Sequence, residues 1–65
     1  MNINECEIGM KVRAEKDIDF GKVKAGDILI IKGLDKDNTG NCKGYLYFDE
    51  TGGIGICVDC FSKIN

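Results

Sequence analysis

Apolar and polar residues alternate along this chain with a period of two, the spacing of a β-strand that buries one face. Met10, Val12 and Ala14, for example, are each followed by a charged residue. No apolar stripe with the spacing of an amphipathic helix persists for three turns. The pattern therefore predicts an all-β protein. Its predicted strands span residues 10–16, 28–32, 44–48, 54–58 and 62–65.

The first connection, residues 15–27, is long for a loop between two strands. Its apolar residues Ile18, Phe20 and Val23 are spaced as anchors, and we expect all three side chains to reach the core. The segment is therefore predicted to be a folded-back loop with a defined shape.

The other connections carry turn residues. Residues 33–44 are rich in Asp, Asn and Gly and are predicted to form a polar second loop. Residues 49–53 are predicted to form a tight hairpin, because Gly52 and Gly53 adopt positive φ at little steric cost. Residues 58–61 are predicted to form a single 3₁₀ turn before the last strand.

This order of elements resembles the Src-homology-3-like (SH3-like) small β-barrel. KAGDILIIKG is similar to the Gly-Asp-apolar run that opens the second strand in that group, and GGIGICVDCFSKIN is similar to its closing strand, 3₁₀ turn and returning strand. The resemblance covers residues 9–64 and implies a five-stranded barrel with a long first loop and one 3₁₀ turn before the last strand. Small barrels of this kind also occur among uncharacterised phage and prophage proteins of low-GC bacteria, and the Lys, Ile, Asp and Asn bias of this chain is compatible with such an origin.

The peptide-binding members of that group hold proline-rich segments between flat aromatic side chains. Here the corresponding first loop begins VRAEKDID and has no aromatic residue there. The position of their third-strand tryptophan falls near Tyr45 or Leu46, and the position of their 3₁₀-turn proline falls near Val58. Only Phe61 matches their terminal aromatic residue. The resemblance therefore disfavours proline-rich ligands.

Length and charge narrow the possible partners. A chain of 65 residues buries only about 60% of its unfolded surface, so we expect one domain over residues 1–65, with residues 1–8 as a flexible or edge-packing segment. The net charge of −2 disfavours generic nucleic-acid binding, which requires surplus cations to contact phosphates. A nucleic-acid-binding barrel stays an alternative because several cations cluster in the first half of the chain. They are Lys11, Arg13, Lys16, Lys22 and Lys24.

The cysteines raise a second alternative, a zinc-stabilised structural domain. Cys57 and Cys60 have the C-x-x-C spacing with which two thiolates hold one Zn²⁺, and Cys6 and Cys42 would complete four ligands. The uneven spacing favours small buried thiols instead. Because the first residues do not resemble a signal peptide and no segment reaches about 20 apolar residues, we expect a cytoplasmic protein with free thiols, no membrane association and no cofactor.

Catalysis is disfavoured by the inventory of side chains. The chain has no histidine to act as a base near neutral pH, a single serine, and no glycine-rich phosphate loop before a helix. We also expect a barrel this thin to lack a cavity of about 300 Å³ or more, the size that small-molecule sites occupy. The sequence therefore predicts a protein that is not an enzyme.

The predicted function is a small protein-binding module that is a monomer or a weak homodimer. Its contact edge is predicted to consist of the first loop, the second loop and the 3₁₀ turn. The residues predicted to contact the partner protein are Asp17, Asp19, Lys22, Asp37, Asn38, Asn41, Tyr45, Asp59 and Phe61.

Overall fold

The computed structural model describes residues 1–37 and 40–64, which form short strands joined by turns. These described ranges contain no α-helix, so the prediction of an all-β protein is confirmed, and no helical turn within them is long and apolar enough to cross a membrane. The strands are β1 (Lys11–Ala14), β2 (Ile28–Ile30), β3 (Gly33–Asp35), β4 (Tyr45–Tyr47), β5 (Ile56–Cys57) and β6 (Phe61–Lys63), and the 3₁₀ turns are Ile3–Glu5, Asp49–Thr51 and Val58–Cys60.

The six strands form two antiparallel sheets of three strands each. The first sheet has the order β2-β1-β6, and the second has the order β3-β4-β5. In the first sheet Val12 of β1 lies opposite Leu29, and Ala14 lies opposite Phe61. All four side chains are buried. Because the strands form two separate sheets, the single five-stranded barrel implied by the resemblance is not confirmed.

Strand β3 lies inside the segment that was expected to be a polar loop. The Tyr47 side chain covers Gly33, where an added Cβ would lie 3.5 Å from the tyrosine Cβ. Pairing with the tyrosine-rich strand β4 thus overrides the turn-forming composition of this segment. The register of the pairing is Gly33↔Tyr47, Leu34↔Leu46 and Asp35↔Tyr45.

The last two strands are shorter than the alternation predicts. Strand β5 covers only Ile56–Cys57, and Ile54 is 54% exposed because the chain there still belongs to the turn after β4. The 3₁₀ turn Val58–Cys60 confirms the predicted position of that turn, and β6 follows it directly. The predicted end of the last strand, Asn65, lies outside the described residues.

The connection between β4 and β5 is wider than the predicted tight hairpin. The 3₁₀ turn Asp49–Thr51 precedes Gly52 and Gly53, whose φ angles of 61° and 87° confirm that both glycines adopt positive φ. Thr51 is 1% exposed, and its Oγ1 lies 3.1 Å and 3.2 Å from the carbonyl oxygens of Phe48 and Ile54. This buried hydroxyl joins the two ends of the turn.

Side chains from both sheets meet in one core. At its centre the rings of Phe48 and Phe61 pack with centroids 4.8 Å apart. The first loop and the N-terminal segment each contribute two residues. The buried apolar residues are Ile3, Cys6, Val12, Ala14, Ile18, Val23, Leu29, Ile31, Leu46, Phe48, Val58 and Phe61.

Candidate functional site

The first loop, residues 15–27, is held in a fixed shape by its own hydrogen bonds. Ile18 and Val23 form an isolated antiparallel bridge, with N–H to carbonyl distances of 2.8 Å and 3.2 Å. Both side chains are buried, which confirms two of the three predicted anchors. Asp17 accepts a hydrogen bond from the N–H of Ala25 at 3.0 Å. The base of the loop is therefore ordered and attached to the core.

Phe20 occupies the tip of this loop and is fully exposed. Its relative exposure is 106%, so the expectation that Phe20 reaches the core is wrong. The physical reason lies in the backbone, because Asp19 and Phe20 have φ angles of 53° and 56° and Gly21 follows at 87°. Three consecutive left-handed residues direct the chain away from the core between Ile18 and Val23.

The side chain of Asp19 is largely covered at this tip. Its side chain is only 7% exposed, and its Oδ2 atom lies 3.6 Å from Nζ of Lys22, whose own side chain is 65% exposed. No atom in the described part of the chain forms a hydrogen bond with this Oδ2. Of the three contact residues predicted on this loop, Asp17 therefore holds the loop through its hydrogen bond, Asp19 is largely covered, and Lys22 extends into solvent.

The tip of the first loop is unfavourable for folding on two counts. A left-handed backbone at a residue other than glycine costs about 1–2 kcal/mol. An exposed phenylalanine also forgoes about 1.5–3 kcal/mol that burial of its side chain would contribute. Strained backbone of this kind clusters at binding and active sites, where the surrounding structure maintains it. Phe20 therefore marks the tip as a candidate binding site.

A second feature is an open cleft of about 590 Å³ beside the N-terminal segment. Its walls are residues 1–5, Lys36 and Lys43 of the second loop, and Asp59 of the last 3₁₀ turn. The cleft shows that the expectation of no cavity above about 300 Å³ is wrong. It brings the second loop and the 3₁₀ turn together as predicted for the contact edge. Sequence reasoning missed that the N-terminal segment forms one wall.

The N-terminal segment is positioned by a capped 3₁₀ turn. Asn2 accepts a hydrogen bond from the N–H of Asn4 at 2.9 Å, and Glu5 accepts one from the N–H of Asn2 at 3.3 Å. This reciprocal pattern is a capping box, and its Asn-x-x-Glu spacing is a readable sequence signal. Ile3 lies at 5% exposure against Gly44. The 3₁₀ turn of the N-terminal segment is therefore packed against the second loop through Ile3, whereas Ile8 is 69% exposed.

The remaining predicted contact residues do not share one environment. Tyr45 is half-buried on the outer face of the second sheet. Phe61 is 2% exposed and belongs to the core, so it presents no surface to a partner. Asn38 lies outside the described residues. The exposed members are Asp37, Asn41 and Asp59.

The four cysteines do not converge on one point. Cys42 and Cys57 form a disulfide with their α-carbons 5.8 Å apart, whereas Cys6 and Cys60 are free thiols. The expectation of free thiols is therefore wrong for one pair, and the C-x-x-C motif is divided between a bridged and a free cysteine. Among the residues that the structure describes, no group of three or more His, Cys, Asp or Glu side chains is arranged to hold a metal ion.

The environment of Cys6 makes it a poor nucleophile. Burial raises the pKa of the Cys6 thiol above its ordinary value, and the neighbouring Glu5 carboxylate raises it further. The terminal ammonium of Met1 lowers the pKa by a smaller amount. Since the thiolate is the reactive form, this thiol is protonated and structural near neutral pH.

The cations proposed for nucleic-acid binding are divided between strand β1 and the first loop. Lys11 and Arg13 share the exposed face of β1. Lys22 is paired with Asp19. The Nζ atom of Lys24 lies beside Gly21, since a Cβ added to that glycine would be 3.0 Å from it.

The tip of the first loop and the cleft are thus the two candidate surfaces that the geometry distinguishes. Comparisons with protein-family models, curated proteins and solved structures find no match for this chain. The functional argument therefore depends on the geometry of these surfaces.

Proposed function

We propose that this chain is a small protein-binding module that inserts Phe20 into an apolar pocket of a partner protein. The observation that carries the proposal is the full exposure of this ring on an ordered loop with left-handed backbone. Aromatic side chains are enriched at the centres of protein interfaces. A partner that covers the ring recovers the burial energy that the isolated fold forgoes.

The first loop is already arranged for binding before a partner arrives. The bridge between Ile18 and Val23 and the hydrogen bond from Ala25 to Asp17 fix both sides of the tip. Ordering a flexible side chain at an interface costs about 0.5–1.5 kcal/mol, and ordering a loop adds to that. Because this loop is already ordered, less of the binding energy is lost when Phe20 is buried.

The charges around Phe20 favour a protein pocket over a polyanion. Residues 15–27 contain four acidic and three basic side chains. Lys22, the cation nearest the tip in sequence, is paired with Asp19 at 3.6 Å. A surface with this balance does not release phosphate counterions in the number that tight nucleic-acid binding requires.

The order of elements supports an SH3-like fold, which we include in the proposal. A long first loop follows β1, and a 3₁₀ turn stands directly before the last strand. Strands β2 and β3 are separated by only two residues and contribute one edge strand to each sheet. Phage or mobile-element origin and a cytoplasmic location stay predictions from the sequence.

Site-specific photo-crosslinking tests the proposed contact. Phe20 is replaced by benzoylphenylalanine in the full chain, expressed in cells that normally produce the protein, and Ile54 is replaced in a matched control. Ile54 is also exposed, at 54%, but lies in a different turn. The proposal predicts that the variant substituted at Phe20 crosslinks to one discrete protein and that the variant substituted at Ile54 does not crosslink to that protein. Equal crosslinking from both positions would reject Phe20 as the contact.

The crosslinked protein is then purified and titrated with the unlabelled chain. Phe20→Ala is expected to weaken binding by about 30-fold or more, because interface anchors contribute about 2 kcal/mol or more. Ile54→Ala is expected to change the affinity for the crosslinked protein by less than about twofold. If the captured species is a nucleic acid, affinity falls steeply with salt and depends on Lys11 and Arg13 instead, and the proposed function is wrong.

A further inference from the structure

The disulfide between Cys42 and Cys57 has a free thiol close to it in the sequence. Cys57 ends strand β5, and Cys60 follows three residues later as a free, half-buried cysteine. Cys57 therefore belongs both to the disulfide and to the C-x-x-C motif. The structure thus holds a disulfide and a nucleophile that can attack it.

The last 3₁₀ turn places Cys60 at bonding distance from Cys57. Val58–Cys60 form this turn, and Cys57 is its N-cap. Residues three apart across such a turn lie on the same side, with α-carbons about 6 Å apart. A disulfide requires α-carbons about 4.4–6.8 Å apart, and those of Cys42 and Cys57 are 5.8 Å apart. Both Cys42 and Cys60 are therefore within reach of Cys57 without movement of the backbone.

The backbone of this turn is held on both sides. The N–H of Val58 donates a hydrogen bond to the carbonyl of Gly44 at 2.9 Å, and the N–H of Glu15 donates one to the carbonyl of Cys60, also at 2.9 Å. The turn is thus attached to the second loop and to the first loop. Because the backbone is fixed, rotation of side chains is sufficient to bring the two sulfur atoms together.

We infer that the Cys60 thiolate attacks Sγ of Cys57 and displaces Cys42. The electron pair of the thiolate forms the new S–S bond, and the pair of the old S–S bond leaves on Sγ of Cys42. Solvent takes the proton of the Cys60 thiol and supplies one to Cys42. The exchange moves an existing disulfide, so it needs no oxidant and forms no disulfide in a chain that has none.

The other free thiol, Cys6, is not placed for this attack. Its side chain is 4% exposed and packs in the core. Its Sγ atom donates a weak hydrogen bond to the carbonyl of Asn2 at 3.6 Å. Since a thiol must lose its proton and reach the disulfide before it reacts, Cys60 is the nucleophile.

The exchange changes what the disulfide holds together. The bond from Cys42 to Cys57 spans a sequence separation of 15 and ties the second loop to the 3₁₀ turn, the two elements that line the cleft through Lys36, Lys43 and Asp59. A bond between Cys57 and Cys60 closes only the turn and releases Cys42. Longer closed loops stabilise more, so the isomer that contains the Cys57–Cys60 bond is the minor one. The inference is separate from the proposed function, since it does not use Phe20.

Disulfide mapping of the full chain tests the inference. The protein is incubated at about pH 8 without reductant or oxidant, quenched with acid and alkylated with N-ethylmaleimide. Trypsin cuts after Lys43, and endoproteinase Asp-N cuts before Asp59, so Cys42, Cys57 and Cys60 fall on separate peptides. Mass spectrometry is expected to find alkylated Cys42 and the joined Cys57 and Cys60 peptides in about 1–10% of the chains after minutes to hours.

Two variants identify the attacking thiol. Cys60→Ser is expected to abolish alkylation of Cys42, whereas Cys6→Ser is expected to leave it unchanged. Alkylated Cys42 in Cys60→Ser, or its loss in Cys6→Ser, would assign the attack to Cys6 and overturn the inference.

The wild-type protein alone also decides the question, even if a variant fails to fold. A joined Cys57 and Cys60 fraction below about 0.1% would overturn the inference. The fraction is expected to be independent of protein concentration, because the attack is intramolecular. A fraction that rises with protein concentration would show exchange between chains and likewise overturn it.

Discussion

The backbone of Gly44 lies directly against the side chain of Ile3. A Cβ added to Gly44 would lie 2.6 Å from Cγ1 and 2.7 Å from Cβ of Ile3, and Gly44 has a φ of 151°. The Gly44 carbonyl accepts a hydrogen bond from the N–H of Val58 at 2.9 Å, and Sγ of Cys42 lies 2.8 Å from the same oxygen. One glycine thus joins the N-terminal segment, the second loop and the 3₁₀ turn around the cleft.

Replacing Gly44 by alanine is expected to displace Ile3 and lower the free energy of unfolding by about 2–6 kcal/mol. Steric overlap and strained backbone each contribute about 1–3 kcal/mol. Gly53→Ala is the control, because Gly53 also has positive φ, 87°, but no atom within 4 Å of an added Cβ. Urea unfolding measures both variants. Equal losses would contradict the contact between Ile3 and Gly44.

Removing the hydroxyl of Thr51 is expected to destabilise the turn between β4 and β5. In Thr51→Val the buried carbonyl of Phe48 and the part-buried carbonyl of Ile54 lose the Oγ1 group that lies within 3.2 Å of each. Loss of a buried hydrogen bond typically costs about 1–3 kcal/mol. Thr51→Ser keeps the hydroxyl and should recover most of this loss in the same urea titration. No loss in Thr51→Val together with a clear loss in Thr51→Ser would assign the stability of this turn to the methyl group instead.

Reducing the disulfide between Cys42 and Cys57 is expected to lower stability by about 3 kcal/mol, because the bridge closes a loop with a sequence separation of 15. Thermal unfolding with and without reductant measures the change. Cys60→Ser should respond to reductant as the wild-type protein does, whereas Cys42→Ser should not respond. The mass after alkylation of the protein from its native cells also tests the cytoplasmic prediction, since disulfides persist in oxidising compartments.

Because the pKa of Cys6 is raised in the folded protein, the free energy of unfolding varies with pH in the alkaline range. The unfolded chain loses the thiol proton at a lower pH than the folded chain, so stability falls as the pH rises from the ordinary thiol pKa through the folded-state pKa. Cys6→Ala removes this titration. Urea unfolding between about pH 8 and about pH 10.5 should therefore show a steeper loss for the wild-type protein. If the free energy of unfolding falls equally with pH in the wild-type protein and in Cys6→Ala, Cys6 is not desolvated by the fold.

The sequence pattern predicts those elements of the fold in which the spacing of apolar residues matches the side chains that are buried in the structure. Val12 and Ala14 alternate with charged residues and form β1, and the turn at Val58–Cys60 lies where it was expected. Strand β3 is missed because its pairing with β4 depends on residues ten or more positions away in the sequence. Local composition does not contain that information.

The candidate site is predicted only in part, because side-chain direction in a loop depends on backbone conformation. The spacing of Ile18, Phe20 and Val23 suggests three equivalent anchors, but left-handed backbone at Asp19 and Phe20 directs one of them outward. The cleft depends on contact between distant segments, which spacing does not reveal. Positive φ at a phenylalanine has no sequence signal.

The central claim is that the first loop is ordered and holds the Phe20 ring in solvent. Nuclear magnetic resonance of the isotopically labelled full chain tests this claim most directly. We expect backbone order parameters of about 0.85 across residues 17–25, as in the strands, and no nuclear Overhauser contacts from the Phe20 ring to core methyl groups such as those of Leu29. Order parameters below about 0.6 at the tip, or contacts between the ring and the core, would contradict the account.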